Sequence, residues 1–417
     1  MLTLDQIETV ALAGLVLFVG YAVRRLVPML SRYNIPAPVV GGLLMAGFIT
    51  VARQWAWTPL TFTTTLQTPL MIAFFTTIGF GASLSLLRVG GPAVLLFFML
   101  STLMAIAQNV LGIVASYALG QHPLMGVLAG SVTLTGGPAT GLAFAPQFEA
   151  AGVPAAATLA VAAAMAGIVG GGIIGGPVAT RLIARLGLTD GQVHPRGARG
   201  IAAAVVENAM GEPPPTAPSG EDVESYGLLK SLVLILTAMW IGSGVSAWIT
   251  SLDLNGNGES DITLPAYIGA MLVAAVIRNV DDASKAIGIS QRTIDDLGGT
   301  ALSLFLVMAL MTLRLWDLVG VALPLAILLG MQIVAIAMVA ATIVHRAMGR
   351  DYESAVMAGG FCGFMLGTTA NAMANMEALV ERYGPAPKAF LVVPMVGAFF
   401  VDFTNAIIIT FCLNVWA

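Results

Sequence analysis

Long apolar runs separated by short polar turns fill most of the 417-residue chain. A transmembrane helix needs about 20 predominantly apolar residues to cross the hydrocarbon core. Measured against that length, the pattern predicts an all-α polytopic membrane protein with ten transmembrane helices. The predicted spans are 6–28, 37–55, 67–87, 92–119, 155–184, 228–250, 264–281, 298–316, 319–345 and 389–413.

Two further apolar stretches, 123–148 and 352–378, are interrupted by small and polar residues. The first contains TLTGGPATG (133–141) and the second GFMLGTTANAMAN (363–375). Lipid cannot hydrogen-bond free amides, so irregular backbone at membrane depth must be buried in protein or line a wet cavity. We therefore predict two re-entrant hairpins whose tips meet near the midplane. The alternative is that the glycines only let helices pack closely.

The long hydrophilic segment 187–226 is rich in proline, glycine and acidic residues, which is typical of a flexible linker. It separates two predicted domains, 1–186 and 227–417, each with five spans and one hairpin. Because five is odd, the second domain must enter the membrane from the opposite side. Similar stretches also recur at an offset of about 230 residues, and together these features predict an inverted repeat.

The distribution of positive charge predicts the orientation. With the N-terminus outside, all of the 18 Lys and Arg residues except Arg53 and Arg314 fall at cytoplasmic ends of the spans. Cytoplasmic loops of membrane proteins carry this excess. We therefore expect both termini in the periplasm and the central linker in the cytoplasm.

Composition excludes several classes of function. Hydrophobic residues make up 58% of the chain and charged residues 10%, against about 25% charged in soluble domains. The net charge is −4 and no Lys/Arg block occurs, which argues against nucleic-acid binding. Cys362 and Cys412 lie in apolar sequence and are interpreted as buried hydrophobes. The three histidines lack metal-ligand spacing, so metalloenzyme chemistry is not expected.

The two hairpins are the predicted binding site. Helix N-termini at their tips present free N–H groups and positive dipole ends, which suit a carboxylate. Unwound carbonyls with hydroxyl and amide oxygens suit Na⁺. The predicted substrate-binding residues are Thr135, Gly136, Gly137, Thr140, Arg278, Gly367, Thr368, Thr369, Asn371 and Asn375. The predicted Na⁺ ligands are Gln108, Asn109, Thr133, Asp402 and Asn405.

Three charged residues leave alternatives open. Asp402 lies inside the last span, where burying an unpaired charge is expensive and so suggests function. It is a candidate Na⁺ ligand or partner of a substrate ammonium, and the alternative is a structural bond between helices. Arg278 and Asp281, at the inner end of the seventh span, are candidates for binding a carboxylate. The alternative for this pair is ordinary interfacial charge.

These motifs resemble the bacterial sodium:glutamate symporter family along nearly the whole chain. The matching stretches are YNIPAPVVGGLL (33–44), PLMIAFFTTIG (69–79), LMGVLAGSVTLTGGPATG (124–141), GGIIGGPVA (171–179), LGGTALSLFLVMALM (297–311), CGFMLGTTANAMANM (362–376) and FLVVPMVGAFFVDFTNA (390–406). The resemblance implies Na⁺-coupled uptake of L-glutamate across the bacterial inner membrane. Related sodium:citrate-type carriers imply two five-helix domains, paired re-entrant loops and a homodimer. Family members tend to have SGGHGTG at 135–141, where Pro138 and Ala139 replace histidine and glycine.

The expected function is therefore secondary active transport by alternating access, of the elevator type, rather than catalysis. One rival is a carrier for another dicarboxylate or amino acid, or one coupled to protons. A membrane enzyme would need a Ser–His or paired-Asp constellation at depth, which the sequence does not show. A passive channel is the third alternative.

Overall fold

Helices make up nearly all of the computed structural model. It describes residues 3–54, 60–187, 221–252, 264–318 and 320–416. A short pair of parallel strands, β1 Thr3–Leu4 and β2 Thr61–Phe62, ties the start of the chain to the loop after the second helical span. The prediction of an all-helical chain is confirmed.

The first half of the chain forms eight α-helices. Their bounds are α1 Gln6–Leu26, α2 Pro28–Arg32, α3 Ala37–Gln54, α4 Gln67–Gly81, α5 Leu84–Ala118, α6 Pro123–Val127, α7 Gly137–Ala150 and α8 Ala156–Arg185. A π-helical turn, Leu128–Val132, continues α6. The interrupted stretch 123–148 is thus a helix, a break and a second helix, as expected of a hairpin.

The second half of the chain forms nine α-helices among the described residues. Its helices are α9 Glu221–Thr250, α10 Ala266–Ser284, α11 Gln291–Met311, α12 Ala322–Val339, α13 His345–Ala347, α14 Tyr352–Met365, α15 Thr369–Tyr383, α16 Pro387–Met395 and α17 Val401–Trp416. Short turns join some of them: a 3₁₀ turn Leu315–Leu318, and π-helical turns Ala340–Val344 and Val396–Phe400.

Six helical segments of the described residues are long and apolar enough to cross a membrane. They are Gln6–Leu26, Gly91–Ala118, Ala156–Arg185, Tyr226–Thr250, Gln291–Met311 and Ala322–Ala347. The other predicted spans correspond to α3, α4, α10 and the joined α16 and α17, which are shorter, less apolar or interrupted. The number of ten spans therefore stays a prediction.

Some predicted helix bounds were wrong. The eighth predicted span, 298–316, is α11, which begins at Gln291 because the Ser290 hydroxyl accepts a hydrogen bond from Thr293 N at 3.4 Å. Its first two turns are polar, so hydropathy alone misses them. Likewise α9 begins at Glu221, inside the predicted linker, whose residues 188–220 lie outside the described part of the chain.

The connection between α4 and α5 is a fixed corner. Helix α4 ends at Gly81 rather than at the predicted residue 87. Asn279 of α10 accepts from Leu84 N at 2.9 Å and donates to Ala82 O at 2.8 Å, which stops the helix there. Within α5 the backbone breaks again at Gly91, with φ 65° and ψ −164°, immediately before Pro92. The long part of α5 therefore starts at Gly91, close to the predicted residue 92.

The helices pack into two units. The six-helix unit consists of α1, α3, α4, α9, α10 and α11, and the hairpin unit consists of α5 to α8 together with α12 to α17. Each unit contains helices from both halves of the chain. Contacts within each unit are extensive, and those between units are fewer. One contact between units is aromatic: Phe144 of α7 meets Tyr267 of α10 edge to face, with 5.1 Å between ring centroids.

Candidate functional site

The tip of the first hairpin is a broken helix. The backbone leaves helical geometry at Gly130, with φ −102° and ψ −127°, and α7 starts at Gly137 with φ +68°. That positive φ favours glycine. Pro138 occupies the first turn of α7, where the missing N–H has no helical partner to lose and the fixed φ suits a helix start. The proline is therefore compatible with the break that the glycines create.

The tip of the second hairpin has a different start. Helix α14 ends at Met365, and Gly367 leads into Thr368, which caps α15. The Thr368 hydroxyl accepts a hydrogen bond from Asn371 N at 3.4 Å. An N-cap of this kind satisfies one free N–H of the first turn and leaves others available.

The structure brings the two tips together. A Cβ atom placed on Gly137 would lie 3.6 Å from Gly367 O and 3.8 Å from Thr368 Cγ2. The N-termini of α7 and α15 therefore lie next to each other, although the two helices come from different halves of the chain. Predicted residues Thr135, Gly136, Gly137, Gly367 and Thr368 all belong to this junction.

Gln108 of α5 links both hairpins. Its Nε2 donates to Met365 O at 2.9 Å, and its Oε1 accepts from the Thr135 hydroxyl at 2.6 Å. Gln332 of α12 adds a third bond, donating from Nε2 to Gln108 O at 2.7 Å. Because Gln108 is completely buried, these bonds hold the two tips against α5.

A second amide cluster surrounds Ser131. Asn109 Oδ1 accepts from Ser131 N at 3.0 Å, and Asn405 Nδ2 donates to Ser131 O at 2.9 Å. The same carbonyl also accepts from Thr135 N and Gly136 N, at 3.2 and 3.0 Å. Predicted ligands Asn109 and Asn405, from α5 and α17, therefore converge on the break in the first hairpin.

The second hairpin is anchored to α8 by its two asparagines. Asn371 Nδ2 donates to Ile168 O at 2.8 Å, and Asn375 Nδ2 donates to Gly171 O at 3.0 Å. Their spacing places them on one helical face, as expected. The amide nitrogens are thus engaged in packing, while Asn371 Oδ1 has no described partner.

Four buried oxygens at these clusters have no hydrogen-bond partner among the described residues: Ser131 Oγ, Gln332 Oε1, Asn371 Oδ1 and Asn405 Oδ1. Leaving a buried polar group unsatisfied costs about 1–3 kcal/mol, so native structures rarely keep several together. All four can accept from a donor or face a hard cation. The described residues contain no group of three or more His, Cys, Asp and Glu side chains suited to a metal ion.

The remaining predicted residues have separate surroundings. The Thr133 hydroxyl donates to Leu128 O at 2.7 Å and the Thr369 hydroxyl to Gly397 O at 2.8 Å. Thr140 is buried in the first turn of α7. Asp402 is half-buried in α17, one turn before Asn405, and no described residue donates a hydrogen bond to it.

Arg278 stands apart from the hairpins. It forms an ion pair with Asp282 at 3.0 Å and donates to Gln291 Oε1 at 2.9 Å, all within the six-helix unit. The neighbouring Asp281 accepts from the backbone N–H groups of Ile287 and Ile289, so it holds the turn after α10. These contacts favour the interfacial alternative for the pair.

Sequence reasoning missed Ser131 and Gln332. Gln332 carried a usable signal, since it is a single amide within the very apolar stretch LLGMQIVAIAM. Ser131 carried none, because its importance comes from the break at Gly130 and from Asn405, 274 residues away.

The sequence matches a known family along most of its length. The family model described as "Sodium/glutamate symporter" matches residues 2–385. The chain belongs to the sodium/glutamate symporter family. It is 40% identical to the sodium/glutamate symporter of Haemophilus influenzae over 97% of this chain and 96% of that protein. It is 38% identical to that of Escherichia coli over 98% and 97%. The family resemblance seen in the motifs is confirmed.

A solved structure is similar at a much lower level. The sodium proton antiporter MjNhaP1 from Methanocaldococcus jannaschii aligns with 15% identity and a TM-score of 0.41, covering 99% of this chain and 98% of that one. That similarity is too low to establish a common fold. The curated relatives are named as symporters, so this family member is a membrane transporter and not an enzyme.

Proposed function

We propose that the chain is a secondary active transporter that carries L-glutamate into the cell together with Na⁺. The observation that supports this most directly is the junction of two hairpin tips, bordered by unpartnered buried oxygens. A carboxylate fits at the N-termini of α7 and α15, where free N–H groups and dipole ends favour negative charge. The named substrates of the relatives, sodium and glutamate, fit this combination.

For Na⁺ we propose a site at the break in the first hairpin. Asn405 Nδ2 donates to Ser131 O at 2.9 Å, so the unpartnered Asn405 Oδ1 and Ser131 Oγ belong to two residues that are in contact. Asn109 and Gln108 border it, and Thr133 is a further oxygen candidate. Unwound backbone near the midplane commonly coordinates Na⁺ in secondary transporters.

Asp402 is the proposed source of negative charge near this site, since it has no described donor and lies one turn from Asn405. We expect Asp402→Asn to weaken or abolish Na⁺-driven uptake while the protein still folds, because the side chain keeps its size and loses its charge. Asp296→Asn, at an exposed carboxylate of α11, is the matched control. Unchanged Na⁺ dependence in Asp402→Asn would remove this residue from the site.

We further propose that the chain is an inverted repeat of two five-span domains, 1–186 and 227–417. Corresponding glycines support this. A Cβ on Gly20 of α1 would overlap Ala37 O of α3, and a Cβ on Gly242 of α9 would overlap Ala270 Cα of α10. The first two spans of each half thus cross at close-packed glycines.

The division into two units supports alternating access of the elevator type. The hairpin unit contains both tips and all of the proposed Na⁺ ligands, so it would move past the six-helix unit as one body. We propose that the six-helix unit forms the contact of a homodimer. In the bacterial inner membrane, both termini would face the periplasm and the linker the cytoplasm, as the distribution of Lys and Arg favours.

The proposal is tested with purified protein in proteoliposomes. We expect uptake of L-glutamate that requires an inward Na⁺ gradient, together with counterflow, which a channel does not support. Uptake that is independent of Na⁺ and is driven by a proton gradient would show proton coupling instead. If aspartate, citrate or malate competes with labelled glutamate uptake more strongly than unlabelled glutamate does, that compound is the preferred substrate.

A further inference from the structure

A basic cavity lies at one end of the hairpin unit, away from the hairpin tips. Its volume is about 330 Å³, and it opens where α8 ends and where α12 passes into α13. Arg185 comes from α8, Arg346 from α13 and Arg350 from the following loop, and all three are exposed. Leu182, Leu186 and Thr342 complete part of its wall.

The positive charge of this cavity is only partly balanced within the described part of the chain. No described carboxylate forms an ion pair with any of the three arginines. The nearby Asp351, whose Oδ1 accepts from Ser354 N at 2.8 Å and caps α14, supplies one negative charge beside three arginines. Three like charges around one cavity repel each other, and a bound anion would offset that repulsion.

Exposed apolar side chains of α12 lead to the cavity and indicate which kind of anion fits there. Ile327, Met331, Val334 and Met338 follow one another at helical spacing on α12, each 40% to 58% exposed. The next turn along this face carries Thr342, whose hydroxyl bonds Met338 O at 2.6 Å, and the following one carries Arg346. An apolar track on a membrane span that ends in a basic cavity matches a molecule with a hydrocarbon chain and an anionic head.

We propose that this cavity binds the phosphate headgroup of an anionic phospholipid, whose acyl chains lie along the exposed face of α12. Arginine suits this ligand because its planar guanidinium donates two parallel hydrogen bonds to phosphate. Basic pockets between transmembrane helices at the membrane surface are known to hold such headgroups. Both walls belong to the hairpin unit, so the lipid would accompany that unit in any movement.

The test measures lipid binding to the purified full-length protein and does not depend on transport. Phosphatidylglycerol is titrated and counted by native mass spectrometry, with phosphatidylcholine of the same acyl chains as the neutral probe. We expect Arg346→Gln and Arg185→Gln each to weaken phosphatidylglycerol binding about fivefold, since one arginine near a membrane surface contributes about 1 kcal/mol. Phosphatidylcholine binding should not change.

Arg181→Gln is the matched control, because it removes the same charge from an exposed position one turn earlier on α8, outside the cavity wall. It should leave phosphatidylglycerol binding intact. A thiol-reactive dye confirms that each variant is folded, since Cys362 and Cys412 are buried. Equal binding of the two lipids, or unchanged affinity in both cavity variants, would overturn the proposal. Full competition by millimolar inorganic phosphate would also overturn it, by assigning the site to a free anion.

Discussion

At the scale of single residues, a change at Ser131 distinguishes a role in Na⁺ binding from a role in holding the structure. Its backbone is fully engaged by Asn109 and Asn405, whereas its hydroxyl is buried without a described partner. We expect Ser131→Ala to raise the Na⁺ concentration for half-maximal uptake about tenfold, because a buried polar contact contributes about 1–3 kcal/mol. Thermal stability without Na⁺ should not fall, since no protein bond is lost.

Ser116→Ala is the control for that change, because Ser116 Oγ of α5 is equally buried and also lacks a described partner. It should alter neither property. If Ser131→Ala leaves Na⁺ activation unchanged, the break in the first hairpin does not hold the ion.

Gly137 tests the geometry of the tip at the same scale. Its φ of +68° costs a residue with a side chain about 1–2 kcal/mol, although the space for a Cβ is adequate, with Gly367 O at 3.6 Å. We expect Gly137→Ala to raise the KM for glutamate, because the start of α7 moves. The thermal midpoint should fall only slightly. Gly176→Ala, a helical site on α8 with nothing within 4 Å, should leave the KM unchanged. An unchanged KM in Gly137→Ala would place the substrate elsewhere.

At the scale of elements, α5 is one place where the chain passes from the six-helix unit to the hairpin unit. Its first turns follow the corner held by Asn279 and by Asp282, which accepts from the Ser83 hydroxyl. The long part after Gly91 packs in the hairpin unit. A break between an anchored end and a packed end suits a hinge.

We therefore expect Gly91→Ala to slow Na⁺-driven uptake while glutamate binding is kept. The φ and ψ of Gly91 lie in a region that only glycine adopts readily, and another residue costs about 1–3 kcal/mol there. Uptake rate and ligand-induced thermal stabilisation are measured together. Gly47→Ala in α3, where a Cβ would also meet nothing within 4 Å, is the control. Normal uptake by Gly91→Ala would mean that this break does not bend during transport.

At the scale of the whole molecule, sequence patterns could predict the all-helical class and the breaks in the two stretches 123–148 and 352–378. The breaks were predictable because glycine and threonine interrupt these two apolar runs. The start of α11 was missed, since its polar first turns have no hydropathy signal. The bonds of Asn371 and Asn375 to Ile168 and Gly171 depend on contacts across 203 and 204 residues, which no local pattern encodes.

Relative movement of the two units is the final prediction at this scale. A cavity of about 450 Å³ lies between them and is lined by Pro146 of α7 and by Thr312, directly after α11, both of which are exposed. Cysteines at these two positions, in a variant lacking Cys362 and Cys412, can be joined by a bismaleimide that spans the cavity. We expect the cross-link to stop uptake, because it ties the hairpin unit to the six-helix unit.

A second cysteine pair tests whether the hairpin unit moves as one body. Thr102 of α5 and Thr404 of α17 share a hydroxyl hydrogen bond of 3.3 Å inside that unit, so joining them restrains no motion between units. Uptake should continue in this variant after cross-linking. Loss of uptake in both variants would indicate rearrangement within the hairpin unit, and continued uptake in both would contradict movement between the units. An elevator mechanism is supported only if cross-linking across the cavity stops uptake while cross-linking of the Thr102 and Thr404 positions leaves uptake active.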